Sequence, residues 1–403
     1  MPNSLTVLVT DPLQRAALAT VRAVGRAGHR VLTIGDTRGL AGVSRYASRH
    51  VHVRASDVKD PAAFPEAVRE AVRAHRVDVV VPVTDAASRI LLAATDRLDT
   101  RIAGPSAAAY ARASDKEYVL AVAPTVGIDV PQQVVIEDVG DAASFACPWP
   151  NGCVIKPARS VVVIAGRAEK VGVCYASSPA HVPEALARYA PEAYPLLIQE
   201  RCAGEGVGVF LLRAEGRTLL AAGHRRIREK PPSGGVSTCR ESVVPDAALL
   251  SACERLLDAL AYEGPAMVEF KQDPSTGRTA LMEINARLWG SVQLSVDAGV
   301  NFPLALVHWA AGIPVVSQPP LAGIRCVWEL GELDHALAIW RRSAATLNLP
   351  PGTPVGAAAA WRALTDRRWS DRAEVFNWLD PQPFVVETLQ WFSNVASSSA
   401  GRA

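Results

Sequence analysis

Residues 264–290 read GPAMVEFKQD-PSTG-RTALMEINARLWG, two alternating apolar/polar runs joined by a Pro/Ser/Thr/Gly turn. That pattern predicts a β-hairpin whose loop is longer than the two-residue minimum. Side chains alternate faces along a strand. Val268, Phe270, Met282 and Ile284 therefore share an apolar face, and Glu269, Lys271, Glu283, Asn285 and Arg287 share the other. With Asp273 and Thr279 paired across the turn, Glu269 falls opposite Glu283. Like charges placed cross-strand repel, and two readings remove that penalty. In one, a divalent cation lies between the two carboxylates and the Asn285 amide, hard oxygen donors suited to Mg2+ or Mn2+. In the other, the face is solvated and the acids pair with Lys271 and Arg287.

The first hundred residues set the hairpin on a larger frame. Leu5–Thr10, Val31–Ile34, Val51–Val53 and Val77–Val83 read as buried strands, and Gln14–Ala27, Pro61–His75 and Asp85–Leu98 as helices. Such βαβα alternation with continuous Val/Ile/Leu strands predicts a parallel sheet covered on both faces. The sequence argues against a dinucleotide site, because VTDPLQRAA follows the first strand where GxGxxG would be needed. The sheet thus reads as a scaffold giving one wall of a cleft. Thr84 and Asp85 stand at the end of its fourth strand, where open α/β sheets bind ligands, with a cap on the next helix the preferred reading of Asp85.

At 403 residues the chain has room for two or more domains. Lys+Arg number 42 and Asp+Glu 40, a net charge of +2, which gives no reason to expect nucleic acid or a membrane surface as partner. The seven cysteines (147, 153, 174, 202, 239, 253, 326) show no CxxC or Cys/His spacing and read as reduced thiols. With no leader-like start and no apolar run of membrane-span length, the expected location is the cytoplasm.

Between the parallel sheet and the hairpin lie further candidate residues. Gly104-Pro105 marks a boundary. Ser114 and Glu117 have capping-box spacing, and Lys116 between them sits in the first turn, where the dipole disfavours a cation; it is either solvated or held for an anion. Lys156 ends the apolar strand CVIK before Pro157 and is either near a cleft or an edge-strand charge. Arg225, Arg226, Arg228, Arg240, Lys230 and His224 surround a Pro-Pro-Ser-Gly-Gly loop. This cluster lacks the aromatics of a nucleic-acid surface, and reads as a mobile anion-holding loop or as plain surface charge.

Taken in order, Asp115-Lys116, Ile155-Lys156-Pro157, Leu197–Glu200, Gly204-Glu205-Gly206, Glu269 and Glu283–Arg287 resemble the ATP-grasp superfamily, more closely its carboxylate–amine (or carboxylate–thiol) ligase branch, over roughly residues 1–315. The resemblance implies an α/β and α+β architecture: an ATP-grasp fold preceded by a Rossmann-like parallel-sheet domain and followed by a helical C-terminal extension. The corresponding divisions are 1–104, 105–195 and 196–315 for the preceding domain and the two lobes, and 316–403 for the Trp-rich extension. That extension reads either as a cover for the cleft or as a surface for a homodimer.

The resemblance also implies roles. Lys116 contacts phosphates, and Lys156 bridges phosphate and adenine. Gln199, Glu200, Arg201 and Cys202 form the hinge that reads adenine, and Glu205 is the acid available to the ribose. Glu269, Glu283 and Asn285 hold Mg2+ on ATP, and Arg287 faces the transferred phosphoryl group. The loop ARSVVVIAGRAEK after Lys156 departs from the family in lacking a glycine-rich stretch. The expected activity is ATP-dependent joining of a small-molecule carboxylate to an amine through an acyl phosphate. Arg287, Arg226, Arg228 and Arg240 are the expected anion-holding catalytic residues, and the PPSGG loop is the expected lid. The alternatives are biotin-carboxylase-like or carbamoyl-type carboxylate activation, and a non-catalytic nucleotide-binding protein.

Overall fold

The first apolar runs lie side by side in a parallel sheet: β1 (Thr6–Thr10), β2 (Arg30–Gly35), β3 (Arg49–His52), β4 (Val79–Val81) and β5 (Arg101–Ile102), in the order β3-β2-β1-β4-β5. The computed structural model that places them describes residues 4–150, 152–164, 167–349 and 352–400. Asn151, two positions of the loop after Lys156 (165 and 166) and the tail beyond 400 lie outside the described residues. Leu8, Leu32 and Val80 pack with Phe64 and Val68 on one face of the sheet; Val7, Val9, Val79 and Val81 pack with Ala17, Leu18 and Val21 on the other. Both faces are covered, as continuous apolar strands require. The winding reverses between β1 and β4, which opens a crevice at their C-terminal ends. Asp11 and Thr84 meet there: Thr84 Oγ1 donates to Asp11 Oδ1 at 3.0 Å, and the Thr84 amide to Oδ2 at 3.2 Å.

A second, antiparallel sheet holds β6 (Gln133–Ile136), β7 (Cys153–Pro157), β10 (Cys174–Ala176) and β11 (Leu196–Glu200), ordered β10-β7-β11-β6. The segment after β7 forms a separate hairpin, β8 (Val161–Ile164) with β9 (Arg167–Lys170). Cys153, Ile155, Leu196 and Ile198 face a core made with Val182, Leu186 and Tyr189. Side chains of the opposite parity face away from that core. There Lys156 lies across from Leu197, and Gln199 from Val154 and Gln133.

The third sheet has seven strands, β12 (Glu205–Ala214), β13 (Arg217–Lys230), β14 (Val236–Val243), β15 (Gly264–Gln272), β16 (Thr279–Asn285), β17 (Arg325–Val327) and β18 (Arg372–Ala373), in the order β16-β15-β12-β13-β14-β17-β18. The C-terminal extension is therefore not helical alone. It adds two strands to this sheet besides the helices Glu329–Arg341, Ala357–Thr365 and Gln382–Ala400. It also clasps the first domain. Arg22 Nε donates to Asp380 Oδ2 at 2.8 Å, Ser44 Oγ to the same oxygen at 2.7 Å, and the Arg45 amide to Oδ1 at 2.9 Å. Among the described residues no helix is long and apolar enough to cross a membrane, and all seven cysteines are free.

The hairpin reaches its expected register by an unexpected route. Gln272, not Asp273, pairs with Thr279, and that alone would set Glu269 against Met282. A β-bulge at Met282 on β16, opposite the step from Glu269 to Phe270 on β15, absorbs the extra residue, so Glu269 faces Glu283 after all. The bulge also corrects the apolar face. Leu281 is the fully buried partner of Phe270, while Met282 is only half-buried.

Candidate active site

The acids of the hairpin are the reference points. Glu269 and Glu283 face each other across β15 and β16, and each is met by a cation from elsewhere in the chain. Lys116 begins the helix Lys116–Val122, whose N-cap is Asp115, its carboxylate accepting from the Tyr118 amide. The expected capping residue, Ser114, is instead the last residue of the preceding helix. Lys116 is buried, not solvated: Nζ lies 3.3 Å from Glu283 and donates to Ser160 Oγ at 2.6 Å. Ser160 stands just before β8, so the segment after β7 reaches the lysine that pairs with Glu283 without the missing glycines.

Arg226 comes from β13, with β12 lying between it and Glu269. Gly206 lets it cross, and Gly208 likewise makes room for the neighbouring His224. A Cβ on Gly206 would lie 2.7 Å from Arg226 Cδ, and one on Gly208 2.7 Å from His224 Nε2. The guanidinium thus reaches Glu269 at 2.5 Å and Glu229 at 2.9 Å. The glycine-rich GEGVG stretch carried this information, although in sequence it reads only as a turn into the next strand.

Electrostatics differ between the two acids. Burial raises the pKa of the Glu269 carboxyl; Arg226 opposes this, but Glu283 and Glu229 add to it, and the value stays above the ordinary one. Burial also acts to raise Glu283, but Lys116 and Lys156 outweigh it and leave that carboxyl below the ordinary value. Lys156 is half-buried; desolvation lowers its pKa, against the opposing pull of Glu283. The open face of the second sheet and the acid face of the third thus confront each other. The donors between them are all oxygen: two carboxylates and the Asn285 amide, whose nitrogen already donates to Glu269 Oε1 at 2.9 Å. That set fits a hard divalent cation.

Arg287 lies on the first-domain side. Its Nη2 donates to Asp85 Oδ2 at 2.7 Å and to Asn285 Oδ1 at 3.1 Å. Burial pushes the Asp85 carboxyl up, but Arg287 pulls it below the usual range. Asp85 is not the cap of its helix; Thr84 is, through the Ala87 amide.

The hinge residues divide by parity. Gln199 faces the cleft with its amide bonded to Gln133 Oε1 at 2.9 Å. Glu200 turns the other way, its carboxylate held by Arg278 at 2.8 Å and by the Gln132 amide at 2.9 Å, and its own amide donates to the Gln132 carbonyl at 2.9 Å. Arg201 donates to the Asn348 carbonyl of the C-terminal extension. Cys202 is half-buried, and burial pushes its thiol up. Gly204 must be glycine: φ is +100°, and a Cβ would meet the Gln272 carbonyl oxygen at 2.0 Å. Glu205 is exposed at the start of β12, 3.7 Å from Arg225.

Two expected catalytic arginines are drawn elsewhere. Arg240 is fully buried, 2.6 Å from Glu374, and Arg228 pairs with Glu332 and Asp366, each at 2.7 Å. Both serve the seam with the C-terminal extension, whose acids sequence spacing could not align with them. The PPSGG loop is likewise tethered, through Lys230 to Asp334 and through the Gly235 carbonyl to Arg226. It abuts the second sheet, since a Cβ on Gly234 would lie 2.8 Å from Tyr175 Oη.

This geometry can be set beside known proteins. A biotin carboxylase–β,γ-ATP complex from Campylobacter jejuni superposes with a TM-score of 0.63 at 16% identity, over 80% of this chain and 74% of that one. The fold is the ATP-grasp fold. An L-amino acid ligase from Bacillus licheniformis has a TM-score of 0.60 at 17% identity (77% and 75% covered). A carboxyaminoimidazole ribonucleotide synthase from Aspergillus clavatus, complexed with ATP, has 0.61 at 18% (81% of each chain). A family model described as ATP-grasp in the biosynthetic pathway with Ter operon matches residues 192–330, which run from just before β11 through the acidic hairpin to just past β17. No curated protein matches the sequence.

Proposed function

We propose that this chain binds ATP with Mg2+ and transfers the γ-phosphoryl group to a carboxylate, making a mixed anhydride. One observation carries the reading: Glu269 and Glu283 stand opposite each other in a largely buried site, each paired with a cation supplied by another element. Bound between these carboxylates, Mg2+ would neutralise phosphate charge as a Lewis acid. Lys116 and Arg226, now on the acids, would then be free to turn to phosphate oxygens. The exchange leaves no buried ion unpaired, an important point where an uncompensated charge is costly. Lys156 approaches the same phosphates from the second sheet, and Gln199 with the backbone of the following hinge residues Arg201 and Cys202 faces the base. Arg287 holds the carboxylate oxygens during transfer.

The fold neighbours support one reading of the substrate acid. The biotin carboxylase and the carboxyaminoimidazole ribonucleotide synthase favour carboxylase-type activation over the amide-forming chemistry expected from the sequence, for which the L-amino acid ligase is the counterpart. Mg2+-dependent ADP release separates the two. Carboxylase-type activation predicts release with bicarbonate, before any amine is added. Amide formation predicts release only when an organic acid and an amine are both present. Absence of release with bicarbonate and with a broad panel of acids and amines overturns the proposal.

A further inference from the structure

We infer that Asp85, from the first domain, is a positioning residue for Arg287 and Asn285, and so gives the parallel sheet a direct part in the phosphoryl step; the inference rests on the phosphoryl-transfer reading above. Asp85 follows β4 at the crevice where the winding of the first sheet reverses, and that end of the sheet is fixed by the Thr84–Asp11 hydrogen bonds. Its carboxylate is not used in capping, which Thr84 performs. Instead, Oδ2 accepts from Arg287 Nη2 at 2.7 Å, while Tyr110 Oη donates to Oδ1 at 3.3 Å and to the Asp85 carbonyl at 3.0 Å.

The arrangement continues into the hairpin. The Nη2 of Arg287 that meets Asp85 also donates to Asn285 Oδ1 at 3.1 Å, and its Nη1 donates to the Leu288 carbonyl at 3.0 Å. Asn285 in turn donates through Nδ2 to Glu269 Oε1 at 2.9 Å. A continuous chain thus runs Asp85–Arg287–Asn285–Glu269. With one nitrogen held by a carboxylate from outside the hairpin, the guanidinium plane is set. The guanidinium then presents a donor to Asn285, which keeps the amide oxygen turned towards Arg287 and the amide nitrogen towards Glu269. The Asp85 and Arg287 side chains are 21% and 17% exposed, so the pair is poorly screened and geometrically exacting. A tether between domains alone would not need to end on a group placed beside the hairpin acids.

The test compares Asp85→Asn, Asp85→Ala and Asp85→Glu in the full chain. Using the acid that best supports ADP release in the wild type, kcat falls about ten- to a hundredfold in Asp85→Asn and further in Asp85→Ala. The KM for ATP and calorimetric MgATP affinity stay within about twofold, and Asp85→Glu recovers most of the rate. The Arg287 Nε–H resonance, assigned by its loss in Arg287→Lys, provides a readout independent of turnover. It is sharp in the wild type and in Asp85→Glu, and broadens in Asp85→Asn and Asp85→Ala. An unchanged resonance in Asp85→Ala overturns the positioning role whatever the turnover. An unchanged kcat, or an equal loss of kcat and ATP affinity, overturns it as well. Failure of the wild type to bind MgATP instead sinks the functional reading, and the resonance still decides whether Asp85 orders Arg287.

Discussion

Single residues reveal their function here through the partner that holds them. Lys116 was ambiguous in sequence, solvated or held for an anion; burial with Nζ between Ser160 and Glu283 removes the solvated alternative. Asp85 suited a cap, but the neighbouring threonine took that task and left its carboxylate for Arg287. Glu387 shows the same principle away from the site. It accepts from Trp328 Nε1 at 2.9 Å, and burial pushes its carboxyl up from 4.5 to about 7. The folded protein therefore keeps this proton at pH values where the unfolded chain has lost it. Stability is highest below about 4.5 for this group and is lost as pH rises through about 7. Glu387→Gln should raise the unfolding free energy from urea denaturation at pH 8, by on the order of 1 kcal/mol given its partial exposure, and change little at pH 5. An equal shift at both pH values would show that the charge is not responsible.

At the scale of elements, periodicity was a good guide wherever one physical demand dominated. The central strands β1, β2 and β4 of the first sheet are apolar runs because both faces are covered, and they appear where those runs stand. The edge strand β3, by contrast, is the half-exposed Arg49–His52, shifted from the expected Val51–Val53, and β5 was not read as a strand. The acid hairpin was legible for a similar reason, since alternation separates its core face from its polar face. What alternation cannot report is an extra residue: the bulge at Met282 restored the Glu269–Glu283 pairing and exchanged Leu281 for Met282 in the core. The fates of Arg228 and Arg240 were illegible for a different reason. Their partners lie 86 or more positions away in the C-terminal extension, and charge spacing along a chain does not encode such distances. That extension is also an element with a measurable task. Asp380 receives Arg22, Ser44 and the Arg45 amide in a buried setting. Asp380→Ala leaves Arg22 uncompensated and should cost about 3–5 kcal/mol in urea denaturation. Asp380→Asn, which keeps an acceptor, should cost less, and an unchanged midpoint in both variants would remove the clasp.

Across the whole molecule, three sheets meet around one cluster of charges. The first contributes Asp85, the second Lys156 and Gln199, and the third Glu269, Glu283, Asn285, Arg287 and Arg226; Lys116 enters from the helix between the first two. The acids are matched by cations that other elements supply, and the functional account requires those cations to change partners when a metal–nucleotide arrives. Calorimetric titration of ATP into the wild type, Glu283→Ala and Lys156→Ala, with and without Mg2+, tests this directly. The account predicts micromolar-range binding by the wild type that requires Mg2+, with affinity falling at least tenfold in each variant, equivalent to about 1.4 kcal/mol or more. Absence of ATP binding by the wild type, or binding that neither substitution weakens, would contradict it.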